Sequence, residues 1–352
     1  MKFYKGIVLL LSALPVLSQV SVELKTAEAI RLPFAIDSNT ATIWRDGNLH
    51  FFHSAGEPLV TTFDAQSQAF VTEEVKIDRR DHFPMWIESV WQDPAGPLWA
   101  WYHHERIGDC PTLNVPEIGA LVSYDGGRSF TDLGIIMASG EWTNCDAQNG
   151  YFANGHGDFS VVADREGQYL YFLFGAYGGD LANQGIAMAR MPISDLWSQQ
   201  GAVWKYYEGG WTEPGLYGRV TPVFPAVAGW DGANTDSYWG PSIHWNTHIG
   251  RFVVLMNRSC CGPQWPQAGV YLTMTADLAD PSAWTEPSFL TGYDEWYPWV
   301  LGLGEGEGSA EAGPQVRFFI RSYSEWELHF HLQEPPPLEP LHRPGKHPQR
   351  QL

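Results

Sequence analysis

Positively charged residues are scarce in this chain. Its 352 residues include 21 Lys and Arg against 40 Asp and Glu, which gives a formal net charge of −19. A negative field of this size repels nucleic-acid phosphates and anionic lipid headgroups. We therefore expect neither nucleic acid nor a membrane as a partner. A neutral or cationic substrate suits the chain better than an acidic one, although the acidity would also serve solubility alone.

Long hydrophobic runs are also missing, apart from a short one near the N-terminus. Lys2 and Lys5 precede the apolar stretch 6–17, and small or polar residues follow it. The stretch is too short to span a bilayer, and the whole pattern is typical of a secretory signal peptide. We predict a signal peptide over residues 1–18 and a mature protein in the periplasm or outside the cell.

Cysteine is rare as well, and its spacing does not predict a metal site. No Cys-x-x-Cys pair occurs, and no His-x-x-x-His helix is predicted, so no residue is predicted as a metal ligand. Disulfides are permitted in an exported protein. Cys110 and Cys145 would staple a loop, whereas Cys260 and Cys261 would bond to each other or one of them would pair elsewhere. Four cysteines allow three connectivities, and the sequence does not choose among them.

A short pattern recurs four times in what remains. A Ser or Thr lies four residues before an Asp or Asn, a turn follows, and then comes a strand rich in large apolar and aromatic residues. Each copy is typical of strand, tight turn and strand. Repeated β-units of this kind indicate a propeller with a central funnel. The paired positions are Thr42 and Asp46, Ser89 and Asp93, Ser160 and Asp164, and Ser242 and Asn246.

We predict an all-β fold, a five-bladed β-propeller formed as a single domain over residues 19–333. The segment Val20–Leu24 would close the ring by joining blade five. The tail 334–352 is Pro-rich and basic, and we expect it to be disordered. The predicted blades cover residues 32–76, 82–135, 150–205, 219–290 and 293–332.

One turn supports the propeller independently. Residues 123–130 match the Asp-box pattern, Ser-x-Asp-x-Gly-x-Ser-aromatic, with Asp125 as the acid and Phe130 as the aromatic. The motif looks like those of sialidases and other propellers. Its role is structural, because the acid caps a hairpin turn and the ring packs beneath it.

The chain resembles the five-bladed propeller glycoside hydrolases of family 43 and its relatives. The segment 156–164 carries the resemblance: around Asp158 it is similar to an Asp-Pro-Ser strand start, with Phe159 in place of Pro. The resemblance covers most of the mature chain at the level of the blade pattern. It implies that acidic residues at the inner ends of first strands point into the funnel as base, acid and pKa-tuning partner.

Asp37, Glu88 and Asp158 are the candidate catalytic carboxylates. Cleaving a glycosidic bond takes one carboxyl group to protonate the leaving oxygen and another to activate water or attack carbon. Our first hypothesis has Asp37 as base and Glu88 as acid. Glu88 lies among apolar neighbours, where a carboxylate is costly unless it is functional or paired with an Arg or His. Asp158 would otherwise be bonded to nearby backbone amides.

Blade four departs from the family pattern. Where the pattern would place a catalytic Glu just before Gly-Pro, this chain has Trp239 before Gly240. The resemblance therefore implies that Glu88, Glu105 or Glu213 takes the role of general acid, or that the chemistry differs.

Histidines and tryptophans near predicted strand starts are candidates for substrate binding. The imidazoles would hydrogen-bond sugar hydroxyls or bind a divalent ion, or would be hydrogen-bonded core histidines. Indole rings suit sugar faces as well as packing between blades. The predicted substrate-binding set is His104, Glu105, His156, Trp239, His244, Trp265 and Trp296.

These residues predict a secreted glycoside hydrolase that acts on a polysaccharide or oligosaccharide. Arabinose- or xylose-containing glycans are implied by the resemblance only. We expect a monomer without a required cofactor, and a structural calcium ion in the central channel is compatible with the pattern.

Two alternatives stay open. A sialidase-like enzyme needs three Arg side chains around one carboxylate and a Tyr–Glu nucleophile pair. A non-catalytic carbohydrate-binding propeller needs aromatic and His residues without facing carboxylates. The arginines available for the first alternative are Arg45, Arg190, Arg258 and Arg317.

Overall fold

Five mainly antiparallel sheets follow one another along the chain. The computed structural model describes residues 19–333 apart from 65, 95 and 263–264. The predicted signal peptide (1–18) and Pro-rich tail (334–352) therefore lie outside the described residues. The sheets are the five blades of a propeller, and the innermost strands of neighbouring blades contact one another around the axis. The predicted all-β, five-bladed fold is confirmed.

The strands are numbered in chain order, beginning with β1 (Gln19–Arg31). Blade one consists of β2 (Ala41–Arg45), β3 (Asn48–Ser54), β4 (Pro58–Asp64) and β5 (Ala69–Glu74). Blade two consists of β6 (Lys76–Ile77), β7 (Met85–Gln92), β8 (Leu98–Arg106), β9 (Val115–Ser123) and β10 (Ser129–Met137).

Blade three consists of β11 (His156–Ala163), β12 (Tyr169–Ala176), β13 (Gly185–Pro192), β14 (Trp204–Tyr207), β15 (Gly210–Pro214) and the short β16 (Phe224–Pro225). Blade four consists of β17 (Ser237–Asn246), β18 (Arg251–Ser259), β19 (Gln267–Thr275), β20 (Ser288–Thr291) and β22 (Glu311–Ala312). Blade five contains β21 (Pro298–Gly302), β23 (Gln315–Ile320) and β24 (Tyr323–Gln333). The two described helical segments, Leu181–Asn183 and Ile193–Ser198, are both too short to cross a membrane.

The N-terminal strand closes the ring. β1 pairs antiparallel with β24, from Gln19 opposite Gln333 to Arg31 opposite Tyr323, and so becomes the outermost strand of blade five. The predicted joining of Val20–Leu24 to this blade is confirmed. The ring of blades is therefore closed by hydrogen bonds between β1 and β24, at the two ends of the described chain.

Blade three extends beyond its predicted end at residue 205. The hairpin β14–β15 continues the sheet through a turn at Glu208 and Gly209, both of which have positive φ. Two consecutive positive φ values match the right-handed twist of a hairpin, and Gly adopts them without strain. The sequence pattern missed this hairpin because its strands are only four and five residues long and lack a continuous apolar face.

The inner strands of blades two, three and four each carry an irregularity at a comparable place. The register shifts between Ile87 and Ser89 in β7, between Gly157 and Phe159 in β11, and between Trp239 and Ser242 in β17. A bulge of this kind turns the extra residue away from the ladder and re-aims its side chain. In β7 and β11 the extra residues are Glu88 and Asp158.

The repeated hydroxyl residues join the inner strands. Ser89 Oγ accepts a hydrogen bond from the Val161 amide at 2.9 Å, and Ser160 Oγ accepts one from the Ile243 amide at 3.1 Å. Asn39 Nδ2 spans two blades by donating to the Phe159 and Pro241 carbonyls. These bonds satisfy backbone groups on the axis-facing edges of the inner strands, and they hold the axis together beneath the funnel.

The turn residues and cysteines complete the framework. Asp125 accepts hydrogen bonds from the Ser129 amide and hydroxyl at 2.9 and 2.6 Å, and Phe130 is buried beneath this turn. Cys110 and Cys145 form one disulfide, and Cys260 and Cys261 form the other. The structure thus selects one of the three possible connectivities.

Candidate active site

A pocket opens at the mouth of the funnel. Counting the space open to solvent, it measures about 470 Å³. Its acidic members come from the loop before β2, the end of β8 and the bulge of β11. The lining residues are Asp37, Trp86, His103, Glu105, Tyr151, Phe152, Asp158, Trp239, Trp265, Trp296 and Tyr297.

Asp158 lies at the base of this pocket. It has a φ of 43°, and the residue is only 3% exposed. Its Oδ2 accepts a hydrogen bond from the Tyr177 hydroxyl at 2.5 Å, and its Oδ1 accepts one from the Tyr297 hydroxyl at 3.3 Å. Burial, followed by Asp158, raises the pKa of both tyrosines well above the ordinary value, so both hydroxyls stay protonated as donors. The bulge therefore holds one carboxylate at a fixed place.

Glu88 lies below the pocket rather than on its wall. Its side chain is fully buried and lines the narrower channel beneath, together with Ser89 and Ser160. Glu88 Oε2 accepts a hydrogen bond from the Phe159 amide at 2.6 Å, and Oε1 lies 3.3 Å from His103 Nδ1. Burial raises the pKa of Glu88 to about 7, while His103 opposes the shift. The structure thus contains the buried pair with a histidine that the sequence left open as an alternative.

His103 connects the buried carboxylate to the pocket. Burial alone would lower its pKa, but Glu88, Asp158 and Glu105 together raise it to about 9. At neutral pH the imidazole is therefore protonated and donates from Nδ1 to Glu88. The Asp158 amide also points at Nδ1, at 3.2 Å, and this contact is a hydrogen bond only when Nδ1 has lost its proton. The two contacts belong to different protonation states of the ring.

Glu105 is the carboxyl group of β8 that reaches the pocket. Its side chain is 22% exposed. Oε2 accepts a hydrogen bond from Asn114 Nδ2 at 2.6 Å, and Oε1 lies 3.9 Å from His103 Nε2. Burial raises its pKa, and repulsion by Asp158 and Asp37 acts in the same direction against the opposing effect of His103. A carboxyl group with a raised pKa at the edge of a pocket is suited to donate a proton.

Asp37 reaches the same pocket from the loop before β2. Its Oδ1 lies 3.6 Å from Arg321 Nη2, and 47% of its side chain is exposed. Partial burial raises its pKa, Arg321 opposes the rise, and Asp158 adds to it. Because the side chain is so exposed, solvent screens much of this effect. Asp37 is therefore the pocket carboxylate that water reaches most directly.

Aromatic rings form the walls. Trp239 packs edge-on against Trp265, with ring centroids 4.7 Å apart, and against Trp296 at 5.6 Å. Tyr151 adds a ring that is 40% exposed at the rim. The indole nitrogens of Trp86, Trp239 and Trp265 are buried without a hydrogen-bond partner in the described part of the chain. Flat rings with free N–H groups suit a ligand that has both apolar faces and hydroxyl groups.

The structure brings together six of the predicted site residues and separates the others. Asp37, Glu105, Asp158, Trp239, Trp265 and Trp296 all line the pocket. Glu88 lies directly beneath it. Glu213, the other candidate acid, lies on β15 and pairs with Arg219, away from the pocket.

The three predicted histidines lie elsewhere. His104 Nδ1 contacts the Pro84 carbonyl, His156 packs against Phe174, and His244 packs against Phe330. Burial lowers the pKa of all three, so they are neutral at neutral pH. Their surroundings are those of core histidines, the alternative that the sequence left open.

The predicted binding set contained His104, whereas the preceding residue, His103, lines the pocket. Successive side chains of a strand point to opposite faces, so His103 and Glu105 share the funnel face of β8 while His104 points away. Glu105 was already a candidate for the funnel, and because it lies two residues after His103 it could have indicated that His103 shares its face of the strand. Tyr151, Phe152, Tyr177 and Tyr297 had no comparable signal, because long-range packing brings them to the pocket.

The buried acids and His103 are the closest approach to a metal-binding cluster in the pocket. Donor atoms of Glu88, His103 and Asp158 lie within 4.8 Å of one another. Calcium takes about six to eight oxygen ligands. Here the two carboxylates already accept hydrogen bonds from Phe159 and Tyr177. This donor set does not fit a calcium ion. A second group, Asp236 with Cys260 and Cys261, offers no thiolate because the two sulfurs are bonded to each other.

No protein-family model and no curated protein matches the sequence. Solved structures do resemble it. An arabinanase from Bacillus subtilis has a TM-score of 0.47 and 12% identity, over 86% of this chain and 95% of that one. The catalytic domain of a GH62 α-L-arabinofuranosidase from Coprinopsis cinerea has a TM-score of 0.48 and 9% identity, over 88% and 96%.

An exo-β-1,3-galactanase from Phanerochaete chrysosporium has a TM-score of 0.47 and 13% identity, over 87% of this chain and 64% of that one. The structures that resemble this chain thus include glycoside hydrolases of families 43 and 62. At this level of identity the likeness concerns the fold alone.

Proposed function

We propose that this protein hydrolyses a glycosidic bond in an oligosaccharide or polysaccharide, with the funnel mouth as its active site. One observation carries the proposal: Asp37, Glu105 and Asp158, from separate parts of the chain, converge on one aromatic pocket. Aromatic walls bind sugar faces, and paired carboxyl groups supply the acid and base that glycoside cleavage needs.

Glu105 is the proposed general acid. Its raised pKa keeps a proton available, and His103, 3.9 Å away, is placed to influence that proton. In the reaction Glu105 gives its proton to the leaving glycosidic oxygen as the bond from that oxygen to the anomeric carbon breaks. This assignment replaces our first hypothesis of Glu88, because Glu88 does not line the pocket.

Asp37 is the proposed base. Its exposure to solvent allows it to accept a proton from the water that attacks the anomeric carbon, and Arg321 favours its ionised form. Asp158, fixed by two tyrosine hydroxyls, lies where it would stabilise positive charge developing on the sugar ring. One proton enters the base and one leaves the acid, so the pair is restored by exchange with solvent.

The protein needs no metal ion in this proposal, since its own carboxyl groups supply the acid and the base. All pocket residues come from one chain, and we propose a monomer as the active unit. The periplasmic or extracellular location stays a prediction from residues 1–18.

The sialidase alternative finds no support in the positions of the arginines. Arg258 forms a two-pronged ion pair with Asp236, Arg317 bonds to Ser324, and Arg190 covers the rings of Tyr169 and Trp211. Arg45 pairs with its neighbour Asp46 in blade one. None of these four lines the described pocket.

The first test is a screen of chromogenic glycosides and polysaccharides, followed by single substitutions. We expect Glu105→Gln, Asp37→Asn and Asp158→Asn each to lower kcat by about a hundredfold or more, because each removes an acid, a base or a stabilising charge. Asn is chosen at position 158 because it tolerates the positive φ there. Glu166→Gln is the matched control, since Glu166 is an exposed carboxylate away from the pocket.

The role of Glu105 can be separated from a structural one. A substrate whose leaving group is a dinitrophenolate needs no protonation, so it should recover most of the activity of Glu105→Gln and none of that of Asp37→Asn. Full activity of Glu105→Gln and Asp158→Asn on ordinary glycosides would exclude this site. Saturable sugar binding without turnover of any glycoside would favour the binding-only alternative.

A further inference from the structure

The funnel carries more negative charge than its own cations balance. His103 is shared between Glu88 at 3.3 Å and Glu105 at 3.9 Å. Arg321 is likewise shared, between Glu295 at 3.1 Å and Asp37 at 3.6 Å. Two cations thus serve four carboxyl groups.

Asp158 is a fifth carboxyl group in the same region. Its side-chain hydrogen bonds within the described chain come from two tyrosine hydroxyls. Burial raises the pKa of Glu105, His103 and Asn114 oppose the rise, and repulsion by Asp158 and Asp37 adds to it. A positive charge placed beside Asp158 would relieve this repulsion.

The walls favour the same kind of ligand. Seven aromatic rings line the pocket, and His103, which is paired with Glu88, is the only cation among its described lining residues. The faces of aromatic rings carry negative electrostatic potential and attract ammonium groups, most strongly where water is excluded. Rings and carboxylates together therefore form a cage for a cation.

Unpartnered polar atoms in the pocket favour a ligand that also carries hydroxyl groups. His103, Trp239 and Trp265 line the pocket and are at most 4% exposed, and His103 Nε2, Trp239 Nε1 and Trp265 Nε1 have no hydrogen-bond partner among the described residues. Buried polar groups of this kind normally find a partner. Sugar hydroxyl and ring oxygens would accept the hydrogen bonds that these atoms offer.

We propose that the funnel binds an amino sugar with a free, protonated amine, so that the substrate class is an oligosaccharide containing unacetylated amino sugars. The ammonium group lies against Asp158 within the ring of aromatic side chains, and the indole and imidazole N–H groups bond to the sugar oxygens. The net charge of −19 draws a polycationic glycan toward the protein at long range. The turnover of such a glycan rests on the proposed function, whereas its binding does not.

The test measures binding of six monosaccharides by ligand-observed NMR at low salt and near pH 6, where primary amines are protonated. They are glucosamine, N-acetylglucosamine and glucose, and the three corresponding members of the galactose series. We expect the free amine of at least one series to bind about tenfold or more tightly than its acetylated and neutral counterparts, the size of one charge-assisted hydrogen bond. Added salt should reduce this preference.

Two substitutions locate the effect. Asp158→Asn should lower amino-sugar affinity by about tenfold and leave neutral-sugar affinity nearly unchanged. Glu166→Gln removes the same charge from an exposed position outside the funnel and should change neither. Equal affinity for amine and neutral sugars in both series, or no binding of any of the six, would overturn the inference.

Turnover separates this inference from the proposed function. Hydrolysis of neutral arabinan, xylan or galactan without any preference for amino sugars would overturn the substrate class and leave the hydrolase. Tight binding of the amino sugar without hydrolysis of oligosaccharides at any degree of acetylation would overturn the proposed hydrolase and leave the inferred ligand class.

Discussion

At the level of single residues, the site depends on where one proton lies. His103 is in contact with Glu88 on one side and faces Glu105 on the other, at 3.3 and 3.9 Å. A change in the charge of Glu105 during catalysis would therefore be felt by the imidazole and by the buried acid beneath it. Glu88 is a positioning residue in this arrangement, because it acts on the pocket through His103.

Glu88→Gln tests this coupling. Burial lowers the pKa of His103, and Glu88 is the main group that raises it. Without the negative charge of Glu88, the effect of burial prevails. We expect the pKa to fall from about 9 toward or below its ordinary value of 6.5. The pKa is measured from the imidazole resonance in an NMR titration, assigned by its loss in His103→Gln.

The same change predicts a pH dependence of stability. A raised histidine pKa contributes stability that is present below pH 6.5 and is lost as pH rises through about 9. The difference in unfolding free energy between the native protein and Glu88→Gln should therefore shrink over this pH range. An unchanged histidine titration in Glu88→Gln would show that the two groups are not coupled.

At the level of secondary-structure elements, bulges and one long loop form the pocket. The bulges in β7 and β11 turn Glu88 and Asp158 toward the axis. The loop between β10 and β11 brings Tyr151 and Phe152 to the rim, and the Cys110–Cys145 disulfide ties this loop to the end of β8. Hydrogen bonds from Asn149 Nδ2 to the Phe152 and Trp230 carbonyls hold the same loop in place.

Cys110→Ser/Cys145→Ser should destabilise the protein by about 3 to 4 kcal/mol, because the disulfide closes a loop with a sequence separation of 35. Cys260→Ser/Cys261→Ser is the matched control, since that bond joins neighbouring residues and closes no loop. Urea unfolding measures both. Equal losses in the two double variants would contradict a loop-closure origin.

At the level of the whole molecule, β1 closes the circle of blades. Val20, Val22 and Leu24 pack against the core of blade five, whereas Glu23 and Lys25 on the same strand face solvent. Val22→Asp places a charge at this contact and should lower the free energy of unfolding by about 2 kcal/mol or more. Thr26→Asp adds the same charge at an exposed position and serves as the control. If both variants unfold at the same urea concentration, β1 does not stabilise the ring.

Much of the fold was predictable because its signals are local. The paired hydroxyl and acidic residues have two separate roles: Ser89 and Ser160 bond across to the next blade, and Asp164 accepts the Gln168 and Tyr169 amides in its turn. A pattern set by hydrogen bonds within a few residues is visible in one sequence. The hairpin β14–β15 was missed because its short strands leave no such pattern.

The candidate site was predictable only in part. Asp37, Glu105 and Asp158 could be chosen as acidic residues near strand ends, and three of the tryptophans as residues near loops. His104 was chosen in place of His103 because one sequence does not say which face of β8 turns to the funnel. His156 and His244 lie at the same kind of strand position, yet packing encloses them in apolar surroundings.

The sequence by itself determined the number of blades and their order, because turn chemistry and the alternation of side chains along strands act over short distances. Only the tertiary structure decided which carboxyl groups meet. Asp37 and Asp158 are far apart along the chain, and a bulge and the closure of the circle bring them to one pocket with Glu105. The environment that raises the pKa of Glu105 exists only after these parts have come together.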